Sequence, residues 1–450
     1  MDTFDLIIIG TGSGNSILTS DFDDWNVAIV ERDVFGGTCL NRGCIPSKMF
    51  VYASDMAEAA RNSGHLGVDS QVNAIRWDDI TQRVFGLIDP IAADGEDYRR
   101  GLDNVTVFAA DARFTGPKEL QVGDTTITSD TIVLAAGARP FVPDLAGLAD
   151  VDYDTSATIM RVAEVPPRLT VLGGGFIACE MAHIFGGLGS EVTIINRSNH
   201  LLRPEDESVS EAFTKIYSER FDVRLGNAPV GASQADDGTI TVELANDDRV
   251  DSDRLLVATG RTPNGAQLGV DKTGVELDQS GYVVTDEHFR TAVPGIWALG
   301  DITTSFQLKH TANAETRVVA HNIINPDDLQ TVDYSGVPHA VFAAPQIAAV
   351  GATEQSLRAA GTPYISAIKE YGATAYGWAM DDKTSFCKLL ADPETRLLLG
   401  AHIMGPQASS LIQQLIQGMQ FGQTVDEMAR GQLYIHPALS EVVENALLEL

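Results

Sequence analysis

The chain has little cysteine, few lysines and no long hydrophobic run. Only four of its 450 residues are cysteine and eight are lysine. Four cysteines are too few for a scaffold of structural disulfides, so the composition favours a reducing compartment and a catalytic role for any disulfide that forms. No stretch approaches the ~18 apolar residues of a membrane span, and no basic segment precedes the first apolar strand. We therefore expect a cytoplasmic protein with no signal peptide and no membrane partner.

Positive charge is also scarce. The sequence holds 31 basic and 62 acidic residues, which gives a formal net charge of −31. A surface of this sign repels nucleic acids and anionic lipids, so we expect neither as a partner. The hydrophobic fraction of 44% is that of a folded globular protein. The length corresponds to roughly three domains of about 150 residues.

The N-terminal segment carries the pattern of a dinucleotide-binding unit. A buried-strand run precedes the glycine-rich segment 10–14, and the next strand ends at Glu31. The order strand, glycine turn, helix and strand is typical of dinucleotide-binding domains. In them the backbone N–H groups of the turn approach a diphosphate, and the carboxylate at the end of the second strand accepts hydrogen bonds from ribose hydroxyls. Asn15 stands at the third-glycine position, a departure from the usual fingerprint. We predict a dinucleotide site here, with a helix after the turn.

The same pattern recurs in the middle of the chain. A strand precedes the glycines 173–175, and the following strand ends in Asn196 and Arg197, with Arg203 six residues further on. No carboxylate stands at this strand end to repel a 2′-phosphate, and two guanidiniums could clamp one. This chemistry favours NADPH over NADH. The alternative is that both arginines are a solvated surface pair.

Further strand-like segments close the two units. Residues 131–140 and 255–263 each read as a buried strand with a Gly/Pro exit, which suggests duplicated dinucleotide domains. Another strand-like run ends at Asp301, whose carboxylate could hold a polyol or ribityl hydroxyl. The alternative is that Asp301 belongs to an ordinary turn at the end of a strand, which needs no ligand.

Two cysteines near the N-terminus are separated by four residues. Cys39 and Cys44 precede Pro46, which suits the first turn of a helix, and residues 49–61 read as that helix. A helix N-terminus lowers the pKa of a thiol and promotes the thiolate that disulfide exchange needs. The spacing differs from that of zinc sites and no second Cys/His pair lies nearby, so we expect no metal. Lys48 follows on the same helix and would by itself be a solvated lysine.

A histidine and a glutamate open the last helix. His436 lies five residues ahead of Glu441, which could orient the imidazole as a general acid–base. A His-Pro pair at a helix start is more often structural. The catalytic interpretation of His436 is favoured only because the chain also contains a reactive cysteine pair.

Taken together, these motifs resemble the flavin-dependent pyridine nucleotide-disulfide oxidoreductases over essentially the whole chain. The carrying motifs are GGTCLNRGCIPSK around the cysteines and HPALSE around His436, together with the two dinucleotide fingerprints. The resemblance implies an α/β fold: two Rossmann-like dinucleotide-binding domains plus a C-terminal α+β dimerisation domain. It also implies an obligate homodimer whose active site is shared between subunits.

The resemblance further implies roles for individual residues. Cys44 is expected to face the flavin and Cys39 to attack the substrate disulfide, with the Lys48–Glu180 pair beside the flavin's reactive nitrogen. His436, with Glu441, is expected to carry protons as part of the other subunit's site. The implied FAD contacts are Gly10, Gly12, Ser13, Gly14, Glu31, Thr38, Lys48, Ala112, Gly137, Asp301, Leu308, Lys309 and His310. The implied NADPH contacts are Gly173, Gly174, Gly175, Phe176, Ile177, Glu180, Arg197, Arg203, Gly260 and Arg261.

Within the family, four segments are most similar to the members that reduce mycothiol disulfide. They are GTGSGNSIL from residue 10, GEDYRR from residue 95, AYGWAM from residue 375 and EVVENALL from residue 441. This implies a small-molecule disulfide substrate, mycothiol disulfide. Three alternatives stay open: glutathione disulfide or bis-γ-glutamylcystine as substrate, dihydrolipoyl dehydrogenase activity, and a flavoprotein without turnover.

The implied domain organisation has four parts. Residues 1–145 form the first part of the FAD domain and residues 146–264 the NADPH domain. Residues 265–334 return to complete the FAD site. Residues 335–450 form the interface domain.

Overall fold

The computed structural model describes all residues from 1 to 450, which form two α/β units and one antiparallel unit. The first unit contains β1 (Asp2–Ile9), β2 (Val27–Glu31), α1 (Gly37–Arg42), α2 (Cys44–Asn62), α3 (Trp77–Arg100), β3 (Val105–Ala109), β4 (Ala112–Gly116), β5 (Glu119–Val122), β6 (Thr125–Leu134) and β7 (Ala138–Pro140). Its sheet has the order β3-β2-β1-β6-β5-β4. Strands β3, β2, β1 and β6 pair in parallel. The apolar sequence of β1 fits this arrangement, because a strand inside a parallel sheet is buried on both faces.

The second unit repeats this parallel arrangement. It contains β8 (Tyr153–Thr155), β9 (Arg168–Leu172), α4 (Phe176–Gly187), β10 (Glu191–Asn196), α5 (Glu207–Arg220), β11 (Asp222–Leu225), β12 (Pro229–Gln234), β13 (Ile240–Leu244), β14 (Arg249–Ser252), β15 (Arg254–Val257) and β16 (Arg261–Pro263). The main sheet has the order β11-β10-β9-β15-β8, and β12 to β14 form a separate antiparallel sheet. Strand β16 pairs with β7 and so ties the second unit to the first.

The chain then returns to the first unit and ends in the antiparallel one. The returning elements are β17 (Ile296–Ala298), which pairs with β6, and α6 (Lys309–Ile324). The last unit contains β18 (His339–Val341), β19 (Ile347–Gly351), α7 (Glu354–Ala360), β20 (Ile365–Glu370), α8 (Ala375–Ala379), β21 (Phe386–Ala391), β22 (Leu398–Met404), α9 (Ala408–Gln420), α10 (Val425–Arg430) and α11 (Ser440–Glu449). Its sheet order is β18-β19-β22-β21-β20.

The three units share a core. The largest apolar cluster holds 30 buried residues, among them Phe50 of α2, Phe185 of α4 and Met404 of β22. Each of these comes from a different unit, so packing fixes the units against one another. None of the helices combines the length and the hydrophobicity that crossing a bilayer requires. The expected fold class is confirmed.

One expected helix is wrong. Between β1 and β2 the chain forms only two short 3-10 turns, Gly14–Ile17 and Ser20–Phe22, instead of an α-helix. The segment is rich in Ser, Thr and Asp, whose side chains compete for backbone hydrogen bonds and favour turns over helix interiors. Thr19 shows this directly, since its hydroxyl accepts a hydrogen bond from the Asp21 N–H and begins the second turn.

Candidate functional site

A cavity of about 590 Å³ lies where the first and second units meet. Its volume falls in the range of small-molecule and cofactor sites. It joins the first glycine turn to the cysteine pair and to the start of α4. Residues implied for FAD or catalysis that line it are Gly10, Gly12, Ser13, Gly14, Glu31, Thr38, Cys39, Cys44, Lys48, Ala112, Gly137, Glu180, Asp301 and Lys309.

The first glycine turn fits a dinucleotide. A Cβ atom at Gly10, whose φ is +106°, would lie 2.3 Å from the Ala135 carbonyl oxygen, and one at Gly14 would lie 2.3 Å from the Ala135 Cβ. These two glycines therefore let the turn pack tightly onto the strand beside it. Gly12 differs, because its Cβ would meet nothing within 4 Å and would project into open space. A group of the size of FAD can thus approach the backbone of the turn closely.

Glu31 is held at the end of β2. Its Oε2 accepts hydrogen bonds from the backbone N–H of Thr11 at 3.0 Å and from the Thr11 hydroxyl at 2.6 Å. The carboxylate remains part of the cavity lining. Since a carboxylate has about four acceptor sites, it can still accept ribose hydroxyls.

Asp301 lies in the same cavity beside a cation. Burial raises the pKa of its carboxyl, and the guanidinium of Arg261, at 3.7 Å, opposes that rise. Arg261 also donates to the Ala138 carbonyl oxygen at 2.6 Å. The sequence-based prediction grouped Arg261 with the NADPH contacts, whereas the structure places its side chain against a residue implied for FAD. Gly260, its neighbour, has a φ of +128° and does not line the cavity.

The segment Leu308–His310 begins α6. The Lys309 ammonium group donates to the Ser13 hydroxyl at 2.8 Å and lines the cavity. His310 instead places its Nε2 2.8 Å from the Pro338 carbonyl oxygen and is not a cavity residue. Neither is Leu308, the N-cap of the helix. Of the three predicted FAD contacts, only Lys309 has its side chain in the cavity.

The two cysteines meet at the junction of α1 and α2. Cys39 is partly buried in α1, and Cys44 is the exposed first residue of α2, which begins five residues earlier than the expected helix. A hydrogen bond from the Cys39 thiol lowers the pKa of Cys44 to about 7, with further help from the Lys48 ammonium. The same hydrogen bond raises the pKa of Cys39. Of the two reduced thiols, Cys44 is therefore the more acidic and ionises first, while Cys39 keeps its proton.

Lys48 and Glu180 form a two-point contact across the units. The ammonium group lies 2.8 Å from each carboxylate oxygen, although the residues are 132 positions apart. Glu180 is 3% exposed and also accepts the backbone N–H of Phe342 at 2.9 Å. The Lys48 ammonium lies 4.7 Å from the centre of the Phe342 ring. Phe342 belongs to no recognisable motif, so sequence reasoning had no signal for its part in this cluster.

The second glycine turn also fits a dinucleotide. A Cβ at Gly173 would lie 2.3 Å from the Ala258 carbonyl oxygen, and one at Gly174 2.5 Å from the Asn196 amide nitrogen. At Gly175 nothing lies within 4 Å, and α4 begins at the next residue. The N-terminus of a helix of this length is a favourable place for a diphosphate. Phe176 and Ile177, the first residues of α4, extend this turn into the large cavity.

Arg197 and Arg203 flank the loop after β10. Both side chains are exposed, and neither forms an ion pair or a side-chain hydrogen bond. Two unpaired guanidiniums in an acidic protein, next to a dinucleotide turn, are available for an anion.

His436 and Glu441 form a hydrogen-bonded pair away from the cavity. The His436 Nδ1 lies 2.7 Å from Glu441 Oε1, and this hydrogen bond lowers the pKa of Glu441. His436 is 71% exposed, and its neighbours Leu433 and Ile435 are 100% and 75% exposed. Neither residue of the pair lines the cavity that holds the cysteines. Exposed apolar side chains such as these are typical of a surface that binds another protein chain.

The pKa of Cys44 gives a direct prediction for two variants. Cys39→Ser keeps a hydroxyl donor, so we expect Cys44 to be alkylated by iodoacetamide with a midpoint near pH 7. Cys39→Ala removes the donor, so the midpoint should rise toward the ordinary thiol value of about 8.5. The rate of alkylation of Cys44 is measured at a series of pH values by mass spectrometry. The fully buried Cys179 and Cys387 serve as thiols that should stay unlabelled while the protein is folded. Equal midpoints in the two variants would contradict this assignment of the thiolate.

Comparisons with known proteins agree with this geometry. A family model described as pyridine nucleotide-disulphide oxidoreductase matches residues 4–316, and the dimerisation domain of the same family matches residues 337–447. The chain is 47% identical to mycothione reductase of Mycobacterium tuberculosis, over all of both chains. It is 34% identical to glutathione reductase of Burkholderia cepacia, over 97% of each. Among solved structures, the HOCl-induced flavoprotein disulfide reductase RclA of Escherichia coli, in its Cu(II) complex, superposes with a TM-score of 0.89 at 25% identity, over all of both chains.

Proposed function

The chain belongs to the pyridine nucleotide-disulphide oxidoreductase family, and from that premise we propose that it reduces mycothiol disulfide with electrons from NADPH. As a member of this family it is a disulfide reductase that uses FAD and a pyridine nucleotide, and it carries the family's dimerisation domain. The observation that carries the proposal is the cysteine pair, which lies in one cavity with the first glycine turn and with Phe176 and Ile177, the residues that follow the second turn. The similarity to mycothione reductase over the whole chain supports the substrate.

The cavity residues divide between cofactor and chemistry. We assign FAD to the first glycine turn, with Glu31 and Asp301 for its hydroxyls, and NADPH to the second, with Arg197 and Arg203 for its 2′-phosphate. When bound, these groups supply a hydride and carry its electron pair to the Cys39–Cys44 disulfide. Lys48 and Glu180 form an ion pair and line the same cavity as the cysteines.

The thiol chemistry follows from the two pKa values. In the reduced pair Cys44 holds the thiolate and Cys39 the proton, so attack by Cys39 on a substrate disulfide needs a base. His436, oriented by Glu441, is that base, and it acts from the partner subunit. Cys39 attacks one sulfur of the substrate and forms a mixed disulfide, and the first thiol leaves with the proton from His436. The Cys44 thiolate then attacks the Cys39 sulfur, which re-forms the Cys39–Cys44 disulfide and expels the second product as a thiolate that takes a proton from water.

The coenzyme assignment predicts a loss of preference in one double variant. Replacing Arg197 and Arg203 by Gln removes two charge-assisted contacts to a 2′-phosphate, each worth about 1.5–3 kcal/mol. We expect kcat/KM for NADPH to fall about 100-fold or more and kcat/KM for NADH to stay within twofold. Steady-state kinetics with both coenzymes measure this. Arg224→Gln is the matched control, since Arg224 is an exposed arginine of the same sheet that already pairs with Asp222. An unchanged ratio in the double variant would remove the NADPH assignment.

The substrate is tested by comparing small disulfides side by side. NADPH consumption is followed at equal concentrations of mycothiol disulfide, glutathione disulfide, bis-γ-glutamylcystine and lipoamide. We expect kcat/KM for mycothiol disulfide to exceed the others by at least tenfold. Preference for another disulfide would overturn the substrate and keep the cysteine chemistry. No turnover with any of them, in a protein that holds FAD, would overturn the reductase proposal.

A further inference from the structure

The first glycine turn lacks the helix that normally follows it. After Gly14 only a four-residue 3-10 turn forms, with no side-chain cap at Ser13. Such a short turn contributes little of the N-terminal dipole that attracts a diphosphate, and it cannot by itself hold the turn in place. Something else in the chain must supply the rigidity and the positive charge.

One face of α6 holds Ser13. Lys309 donates to the Ser13 hydroxyl at 2.8 Å, and that hydroxyl donates to the Asn313 side-chain oxygen at 3.0 Å. The Thr316 hydroxyl lies 3.2 Å from the Ser13 carbonyl oxygen, to which it donates. Lys309, Asn313 and Thr316 are spaced at i, i+4 and i+7, which places them on the same side of a helix. Ser13 is therefore fixed through both its side chain and its backbone.

Helix α3 holds the next part of the turn. The Arg99 guanidinium donates from Nε to the Asn15 side-chain oxygen and from Nη2 to the Asn15 carbonyl oxygen, both at 2.9 Å. This two-point contact fixes the orientation of the peptide as well as its position. A glycine at position 15 would offer no side-chain oxygen, so the departure from the usual fingerprint is the feature that Arg99 uses.

Lys309 also brings an unpaired charge. Its ammonium lines the cavity, makes no ion pair, and lies close enough to Asp301 to oppose the rise in that carboxyl's pKa. Gly12 lines the same cavity, and a Cβ there would meet nothing within 4 Å. The ammonium therefore supplies positive charge in the cavity to which the turn contributes.

We propose that Lys309 and Arg99 are positioning residues that hold the Ser13–Asn15 turn for the diphosphate of FAD, in place of the missing helix. Lys309 adds the positive charge, and Arg99 fixes the backbone. The inference rests on the assignment of FAD to the first unit and is independent of which disulfide is reduced.

FAD retention by the holoenzyme tests this without any turnover. The dissociation constant of FAD is measured by equilibrium dialysis for the wild type, Lys309→Met and Arg99→Met. We expect each variant to bind FAD about tenfold more weakly, because each loses one or two charge-assisted hydrogen bonds. Salt should weaken FAD binding to the wild type more than to Lys309→Met, since only the wild type has the ammonium. Lys272→Met and Arg100→Met are the control variants. Lys272 is an exposed lysine and Arg100 is the next arginine of α3, and we expect both variants to bind FAD with the affinity of the wild type.

Two competitors separate a diphosphate effect from a general defect. ADP carries the diphosphate and adenosine does not, so each is used to displace FAD during dialysis. We expect the affinity for ADP to fall with that for FAD in Lys309→Met, and the affinity for adenosine to stay within twofold. Equal losses for ADP and adenosine, or FAD affinities of both variants within twofold of the wild type, would overturn the proposal. Either result leaves the disulfide reductase proposal standing, because that is read from turnover with FAD in excess.

Discussion

Cys39→Ser is expected to lower kcat for disulfide reduction by at least ~10³-fold, because a serine hydroxyl does not attack a disulfide at neutral pH. The protein should remain yellow and folded, since the change removes one of many cavity contacts. NADPH oxidation with ferricyanide, which takes electrons from the reduced flavin without the thiols, should stay within a fewfold of the wild type. The pair of assays therefore separates loss of the nucleophile from loss of the cofactor.

Cys387→Ala is the matched control for this variant. Cys387 is fully buried in β21, outside the cavity, so we expect disulfide reduction within twofold of the wild type. Retained turnover in Cys39→Ser would contradict the thiol mechanism. Loss of ferricyanide reduction together with disulfide reduction would mean that the variant has lost its flavin, and Cys44→Ser would then repeat the test from the second thiol.

His436→Gln is expected to lower kcat by about 10²–10⁴-fold, the usual contribution of a general acid–base. Glutamine keeps the size and polarity of the side chain and cannot carry a proton. Because His436 does not line the cavity that holds the cysteines of its own chain, we expect it to act on those of the partner. Glu441→Gln should give a smaller loss, since Glu441 orients the imidazole and takes no proton itself.

A mixed dimer distinguishes action within one chain from action between chains. Cys39→Ser and His436→Gln chains, each inactive alone, are co-expressed with different tags and purified on both. If the site is shared, one of the two sites in this heterodimer has an intact Cys39 and an intact His436. We expect about half the wild-type activity per dimer. An inactive heterodimer would show that His436 serves its own chain.

Local motifs explain why the cysteine and histidine sites could be predicted from the sequence. Cys39 and Cys44 lie on one helical junction, and His436 reaches Glu441 within five residues, so spacing along the chain largely determines their contact. Lys48 and Glu180 are 132 residues apart, and only the resemblance to a family joined them. The roles assigned to these groups are proposals, and the variants described above test them.

Other features depend on contacts that spacing does not encode. The prediction of a helix after the first glycine turn was wrong. It followed the general fingerprint of dinucleotide-binding domains and gave no weight to Thr19, Asp21 and their polar neighbours. The contact between Arg99 and Asn15 spans 84 residues, although both lie in segments that were singled out for their similarity to relatives. Arg261 was expected among the NADPH contacts, and the sequence held no signal for its contact with Asp301. The missing helix is a local effect of polar side chains, whereas the other two cases are tertiary contacts that no local pattern encodes.

The central claim is that electrons from NADPH reach the Cys39–Cys44 pair, and thiol labelling tests it most directly. The oxidised protein is mixed with excess NADPH without oxygen, alkylated, denatured and digested, and each cysteine is read by mass spectrometry. We expect both Cys39 and Cys44 to become alkylated only after NADPH, while Cys179 and Cys387, fully buried, are unlabelled in the native protein with or without it. Labelling of Cys39 and Cys44 that does not depend on NADPH, or none at all after the flavin has been reduced, would contradict the account.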